Sequence, residues 1–172
     1  MNHKKIKTRE EMGEIVKTFR KENPLSKIVT TNGAFDIMHV GHVYSLEKAK
    51  SYGDILIVGL NSDSSIKKYK SPDRPIIPQQ YRAEMLASLN IVDYVVIFDE
   101  TDPRELLKVI KPDFHVKSKS SFKSPELEFK DGVERETVEA LGGKVILIED
   151  IPSISTSQII KKILEVENKN LK

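Results

Sequence analysis

Thr31-Asn32-Gly33-Ala34-Phe35-Asp36-Ile37-Met38-His39-Val40-Gly41-His42 joins an apolar stretch to an amphipathic one and sets two histidines about a glycine. The preceding Lys27-Ile28-Val29-Thr30 reads as a buried strand. Val40 to Tyr52 then carries Val40, Val43, Leu46 and Ala49 at the spacing of one helix face. A strand-to-helix turn aims unpaired N–H groups and the positive end of the helix dipole at an anion. Gly41 admits a phosphate where a side chain would block it, and His39 and His42 add two donors beside it. The pattern predicts a phosphate site.

Outward from this stretch, helix and strand patterns alternate. Thr8-Arg9-Glu10-Glu11 has the form of a capping box and opens a helix over 8–23, with Met12, Ile15, Val16 and Phe19 on one side and Asn23-Pro24 at its end. Strand 27–32, helix 40–52, strand 54–60, a short helix at 63–69, a Pro-rich loop from Ser71 to Pro78 and helix 79–89 follow. Strand 93–98, helix 102–110, strand 113–117, helix 132–141, strand 144–149 and helix 155–167 complete the reading. Strands separated by helices imply parallel pairing with right-handed crossovers, hence an α/β, doubly wound sheet with helices on both faces. Residues 118–131, polar and rich in Ser and Lys, read as a mobile flap. The charged end from Glu165 reads as a tail that frays over 168–172.

Composition narrows the class. A chain of 172 residues is one domain by length, 1–172, with room for five or six strands. Lys+Arg 28 against Asp+Glu 26 is too even for a general nucleic-acid or membrane field. The absence of cysteine removes disulfides and thiolate metal sites. No apolar run approaches a membrane span, and Met1-Asn2-His3-Lys4-Lys5 leads into no signal core, so the expectation is a cytoplasmic protein.

In an open α/β sheet, ligands sit beyond the carboxyl ends of the strands. The candidate residues fall there in order. His39 and His42 follow the first predicted strand and Asn61 and Asp63 the second; Lys117 and Lys119 follow the fourth, and Ser155 to Ser157 the fifth. No buried acid–base carboxylate is apparent, and no cluster suggests a protein-bound metal.

The His39-Val40-Gly41-His42 segment resembles the signature of the HxGH nucleotidylyltransferase superfamily. Further blocks resemble its members in order: Leu46 to Asp54, Ile55 to Asp63, Arg74-Pro75-Ile76-Ile77-Pro78, Tyr81-Arg82-Ala83-Glu84, Val92-Asp93-Tyr94-Val95 and Ile154-Ser155-Thr156-Ser157. The series, covering roughly residues 8 to 166, is most similar to the branch that adenylylates D-glycero-β-D-manno-heptose 1-phosphate. The resemblance implies a Rossmann-like single domain that takes ATP as substrate with Mg²⁺, transfers AMP to a sugar 1-phosphate and forms an ADP-sugar. It implies catalytic roles for His39, His42 and Lys50, the last at a basic position that lies near the phosphates in relatives. Asn32, Gly33, Ala34, Phe35, His39, His42, Ser155, Thr156 and Ser157 are implied to bind the nucleotide, and Asn61, Asp63, Lys70, Arg82 and Lys117 the acceptor. The implied partners are a nucleoside triphosphate and a phosphorylated small molecule, with no nucleic acid and no membrane; a homodimer is compatible. Bifunctional members carry a sugar kinase domain ahead of this one, so the resemblance leaves phosphorylation of the sugar to a separate kinase.

Two departures bear on specificity. Val116-Lys117-Ser118-Lys119-Ser120-Ser121 lacks the acidic residue of the heptose branch's Lys-Gly-Gly-Asp, and Asp150 stands where glycerol-phosphate cytidylyltransferases carry arginine. Alternatives are a cytidylyltransferase acting on an alditol phosphate such as glycerol 3-phosphate, an FMN adenylyltransferase, and, from another class, a catalytically weak nucleotide-binding protein. The flavin reading suits a chain without tryptophan least. Pyrophosphate release separates the weak binder from the enzymes.

Overall fold

The computed structural model describes residues 3–119, 125–149 and 154–170. A 3-10 turn (His3–Lys5) leads into strand β1 (Ile6–Lys7), helix α1 (Arg9–Glu22), β2 (Ile28–Gly33), α2 (Val40–Lys50) and β3 (Ile55–Asn61). The short α3 (Asp63–Tyr69) and α4 (Gln79–Ala87) precede β4 (Tyr94–Phe98), α5 (Arg104–Ile110) and β5 (Phe114–Ser118). Helix α6 (Pro125–Ala140), β6 (Lys144–Ile148) and α7 (Thr156–Asn170) end the chain.

The strands form one parallel sheet in the order β1-β4-β3-β2-β5-β6. From β2 the chain builds outward through β3 and β4, then returns to place β5 on the other side of β2. The reversal makes a switch point between β2 and β5, where doubly wound sheets hold their ligands. The register there is short. Val29 pairs with Phe114 and Thr30 with His115, and no further ladder pair joins these strands. β2 and β3, by contrast, stay paired from Ile28–Ile55 to Gly33–Leu60. Toward the carboxyl ends β2 and β5 therefore part, with the Thr31 hydroxyl donating to Val116 O at 2.9 Å where the ladder has ended.

Burial follows the sheet's two faces. Val29, Leu56, Val58, Leu60, Val95 and Val116 pack with Leu46 and Ala49 of α2 and Ala83, Leu86 and Ala87 of α4. Ile28, Ile57, Val96 and Phe98 face the other way, onto Met12 and Val16 of α1 and Leu106 and Ile110 of α5. Alternate residues along β3 thus serve opposite cores, the period-two geometry of a strand covered on both sides. At the start of α1, the Thr8 side chain accepts from Glu11 N while Glu11 accepts from Thr8 N. Among the described residues no helix is long and apolar enough to cross a membrane.

Several expectations are corrected. β1, only two residues long, was not anticipated, and it adds an edge strand beside β4. Of the predicted apolar face of α2, Leu46 and Ala49 are buried, but Val40 is 57% exposed because it is the first residue of the helix, beyond the core. α6 begins at Pro125 rather than 132. The segment 118–131, expected as a flap, divides: Ser118 closes β5, 125–131 belong to α6, and 120–124 lie outside the described residues. The tail expected over 168–172 is helical to Asn170, and residues 171–172 lie outside the described residues, as does Asp150. Buried carboxylates are present as well: Asp36 and Glu134 are each 3% exposed.

Candidate active site

A cavity of about 660 Å³ opens where β2 and β5 diverge. The β2 end and the turn after it (Thr31 to Asp36), His39, Gly41, His42 and Ser45 of α2, and Val116 to Ser118 of β5 line it. Lys70, Ser71 and Arg74 reach it from the stretch after α3, and Ile154 to Ser157 from the start of α7.

The two histidines build the helix end that they occupy. His39 is the N-cap of α2, and its Nδ1 accepts from Gly41 N at 3.2 Å; His42 Nδ1 accepts from His39 N at 3.4 Å. With Nδ1 accepting in both rings, each neutral imidazole carries its proton on Nε2 as a donor. The rings stack with centroids 4.0 Å apart, and Phe35 lies tilted against His42. A Cβ on Gly41 would come within 3.0 Å of the His39 ring, so the glycine makes room for the imidazole as well as for a ligand. Burial first, then the His39 and Lys70 charges, push the His42 imidazole down to about 4; burial also lowers His39. Both rings are therefore neutral donors near pH 7. Capping and lining the cavity are one arrangement here.

The turn after β2 is held from behind. Phe35 adopts a positive φ of 44°, uncommon for a residue with a side chain. The Arg82 guanidinium donates to Ala34 O of this turn, to Ile77 O at 2.8 Å, to Asn61 O at 2.9 Å and to Asp63 Oδ1 at 2.7 Å. Asn61 donates to Ser65 Oγ at 2.9 Å. Asn61, Asp63 and Arg82 thus form a knot behind the turn, with Arg82 only 1% exposed, and none of them lines the cavity. Lys50 lies at the other end of the molecule. It closes α2 and bonds Asp54 O and Asp93 Oδ2, each at 2.6 Å, beside the amino ends of β3 and β4.

The remaining predicted residues converge. Asn32 to Phe35, His39, His42, Lys70, Lys117 and Ser155 to Ser157 all face one cavity. Ser155 Oγ accepts from Gln158 N at 3.2 Å, and Thr156 donates to Ile37 O at 3.3 Å, which ties the α7 N-terminus to the turn that bears the histidines.

Asp36 and Arg74 were not assigned from sequence. Asp36 accepts from Arg74 Nε at 2.8 Å and from Ile76 N and Ile77 N at 2.9 Å, pinning the Pro-rich loop to the turn. The signal was present, since Asp36 stands in the strand-to-helix stretch that predicts the phosphate site and Arg74 in a block that carried the family resemblance; what was missing was their pairing across 38 residues. Among the described residues, three cations, two imidazoles, the hydroxyls of Ser155 to Ser157 and the amide end of a helix stand around the cavity, against one carboxylate already committed to Arg74. Such a lining fits a polyphosphate. Among the described residues no three His, Asp or Glu side chains gather as a group that could hold a metal.

A parallel doubly wound sheet, with a cation-lined cavity at its switch point and paired histidines capping the helix beside it, is the arrangement of a nucleotidyltransferase-type fold. The chain belongs to the cytidylyltransferase-like family, whose model matches residues 30–162. It is 44% identical over 161 residues to the bifunctional protein HldE of Syntrophotalea carbinolica, and that match covers 94% of this chain and 31% of the relative. It is 48% identical over 165 residues to the HldE protein of Aliarcobacter butzleri, covering 96% of this chain and 32% of the relative. The chain thus spans about a third of the length of these curated relatives. The fold is similar to that of the lipopolysaccharide core biosynthesis protein from Thermoplasma volcanium, with TM-score 0.58 and 24% identity over 75% of this chain and 99% of that one. It is also similar to pantoate-beta-alanine ligase from Francisella tularensis, with TM-score 0.61 and 17% identity over 86% of this chain and 67% of that one.

Proposed function

We propose that this chain transfers AMP from ATP to a sugar 1-phosphate of the heptose type, releasing pyrophosphate and forming an ADP-sugar. One observation carries the transfer chemistry: the imidazoles and N-terminus of α2, Lys70 and Arg74 after α3, and Lys117 of β5 gather around one switch-point cavity. The sequence blocks that resemble heptose 1-phosphate adenylyltransferases, and the identity to the HldE proteins, support adenine and the sugar phosphate.

In this reaction an acceptor phosphate oxygen attacks the α-phosphorus. A new P–O bond forms, and the bond to the bridging oxygen breaks as pyrophosphate leaves with its electron pair. The attacking oxygen is already ionised, so positioning and charge stabilisation do the work, without a strong base. The amides from Gly33 to Phe35 and the Nε2–H groups of His39 and His42 donate to oxygens of the α-phosphate. Ser155, Thr156 and Ser157 at the start of α7 take the β- and γ-phosphates. Lys70, Arg74 and Lys117 balance the charge of the two anions. Magnesium bound to the triphosphate supplies further neutralisation of its oxygens. Arg82, Asn61 and Asp63 act on the acceptor only through the turn that they brace, and Lys50 has no part in the chemistry.

The test is pyrophosphate release from ATP and from CTP against a panel of phosphorylated acceptors: heptose and hexose 1-phosphates, glycerol 3-phosphate and FMN. Turnover with ATP and a sugar 1-phosphate is expected. Turnover confined to CTP with glycerol 3-phosphate would move the chain to the alditol-phosphate branch, and nucleotide binding without turnover would make it a binding protein.

A further inference from the structure

Beneath the cavity lies a charged cluster whose carboxylate and imidazole the transfer chemistry above does not use. Glu134 of α6 is 3% exposed and does not line the cavity, yet its two oxygens are bound to residues of both strands that part there. Its Oε2 accepts from Lys117 Nζ at 2.9 Å and from His115 Nε2 at 3.2 Å, and its Oε1 accepts from Asn32 Nδ2 at 3.5 Å. Lys117 Nζ in turn donates to Asn32 Oδ1 at 3.1 Å, closing a ring of three side chains. His115, wholly buried, bonds the Thr30 hydroxyl with its other nitrogen at 2.8 Å, which anchors the ring to the last ladder pair of β2 and β5.

We infer that Glu134 is a positioning residue for nucleotidyl transfer, acting through Lys117 and Asn32, which it fixes in the cavity floor at the point where β2 and β5 separate. The need follows from the splay. Asn32 and Lys117 sit past the last paired residues of the two strands, so no ladder hydrogen bond between these strands sets their spacing. A carboxylate reaching up from α6 bonds both and replaces the missing ladder with a side-chain bridge. It also holds a long, flexible lysine, with its side chain 11% exposed, in one rotamer before the ligand arrives. Burial works to raise the Glu134 carboxyl, but the Lys117 charge and the His115 hydrogen bond outweigh it and hold it down at about 2. The bridge is therefore ionised throughout the physiological range.

The inference rests on the transfer activity proposed above, and its test keeps the two apart. Wild-type turnover with ATP and an acceptor is measured first, and its absence overturns the activity, not the bridge. Given turnover, Glu134→Gln, Lys117→Met and the double variant form a cycle in kcat/KM for ATP, with thermal midpoints read in parallel. Glu134→Gln should lower kcat/KM about 10- to 100-fold, the factor that one charge-assisted hydrogen bond corresponds to. In the Lys117→Met background the same change should cost several-fold less, since the short ion pair at 2.9 Å is gone and only the 3.5 Å bond to Asn32 remains. A merely structural glutamate would instead lower the thermal midpoint and cost the same factor in both backgrounds, which would overturn the inference. Should Glu134→Gln not fold, Glu134→Asp keeps the charge while withdrawing it from Nζ, and the same cycle is read with it. A full loss in both backgrounds sinks the proposal there too.

Discussion

At the scale of the residue, His42 joins three facts. It completes the capping box of α2 by accepting from His39 N, it lines the cavity, and burial beside His39 and Lys70 holds its imidazole at about 4. Replacing it by alanine should leave nucleotide affinity largely intact while kcat falls roughly 10²- to 10³-fold, the loss typical of one transition-state donor. Turnover near the wild-type value would remove His42 from the chemistry. The same residue gives stability a pH dependence whose sign is fixed. Its folded value of about 4 lies below the ordinary 6.5, so the unfolded chain takes up the proton first. Its contribution is therefore complete above pH 6.5 and declines as pH falls toward 4. Glu134, depressed to about 2 from 4.5, adds a separate loss as pH falls from 4.5 toward 2. Denaturant melts of wild type and His42→Gln between pH 7 and 4 should show the decline flattened in the variant. An unchanged slope would assign it to other groups.

At the scale of the element, the Pro-rich loop shows what order along the chain conveys and what it hides. Ser71 to Pro78 is legible as a loop from its prolines, and its Arg-Pro-Ile-Ile-Pro block is legible as a family mark. That Asp36 holds it through Arg74 and the amides of Ile76 and Ile77 is not legible, because a loop's anchor lies wherever the fold brings a partner. Asp36→Asn keeps the shape and removes the charge. It should lower stability by about 1–3 kcal/mol and raise the KM for ATP as Arg74 loses its orientation; an unaffected KM would mean that Arg74 does not meet the nucleotide. Strands such as β3 were readable because both faces are covered and nearly every residue is apolar. The two-residue β1 has no period to read, and the early turns of α6 hid in a polar stretch. The same limit applies to single positions. The resemblance implied a catalytic Lys50 and an acceptor-binding Arg82 because charge is visible in a sequence while a partner is not. Lys50 is paired to Asp93, 43 residues away, and Arg82 to carbonyls of two other segments. His115 and Glu134 escaped for the converse reason, since polar residues at buried positions read as surface.

At the scale of the whole molecule, near-neutral charge and a locally cationic cavity imply that recognition comes from the cavity and not from a general field. Nucleotide choice is then set by polar groups that one base satisfies and the other leaves unpaired, at about 1–3 kcal/mol each. With the true acceptor, ATP should be preferred to CTP by at least about tenfold in kcat/KM; a measured preference for CTP would overturn both the adenine and the heptose assignments. The short β2–β5 pairing has a mechanical consequence. A sheet zipped firmly from β4 through β3 to β2 meets a second, smaller leaf of β5 and β6 along a seam of two ladder pairs, Val29–Phe114 and Thr30–His115. A nucleotide lying across that seam touches both leaves, so it works as a rivet as well as a reactant. Amide exchange in β5 and β6 should therefore outpace that in β3 in the free protein and slow on binding ATP, the second leaf stiffening each time the site fills and loosening each time product departs.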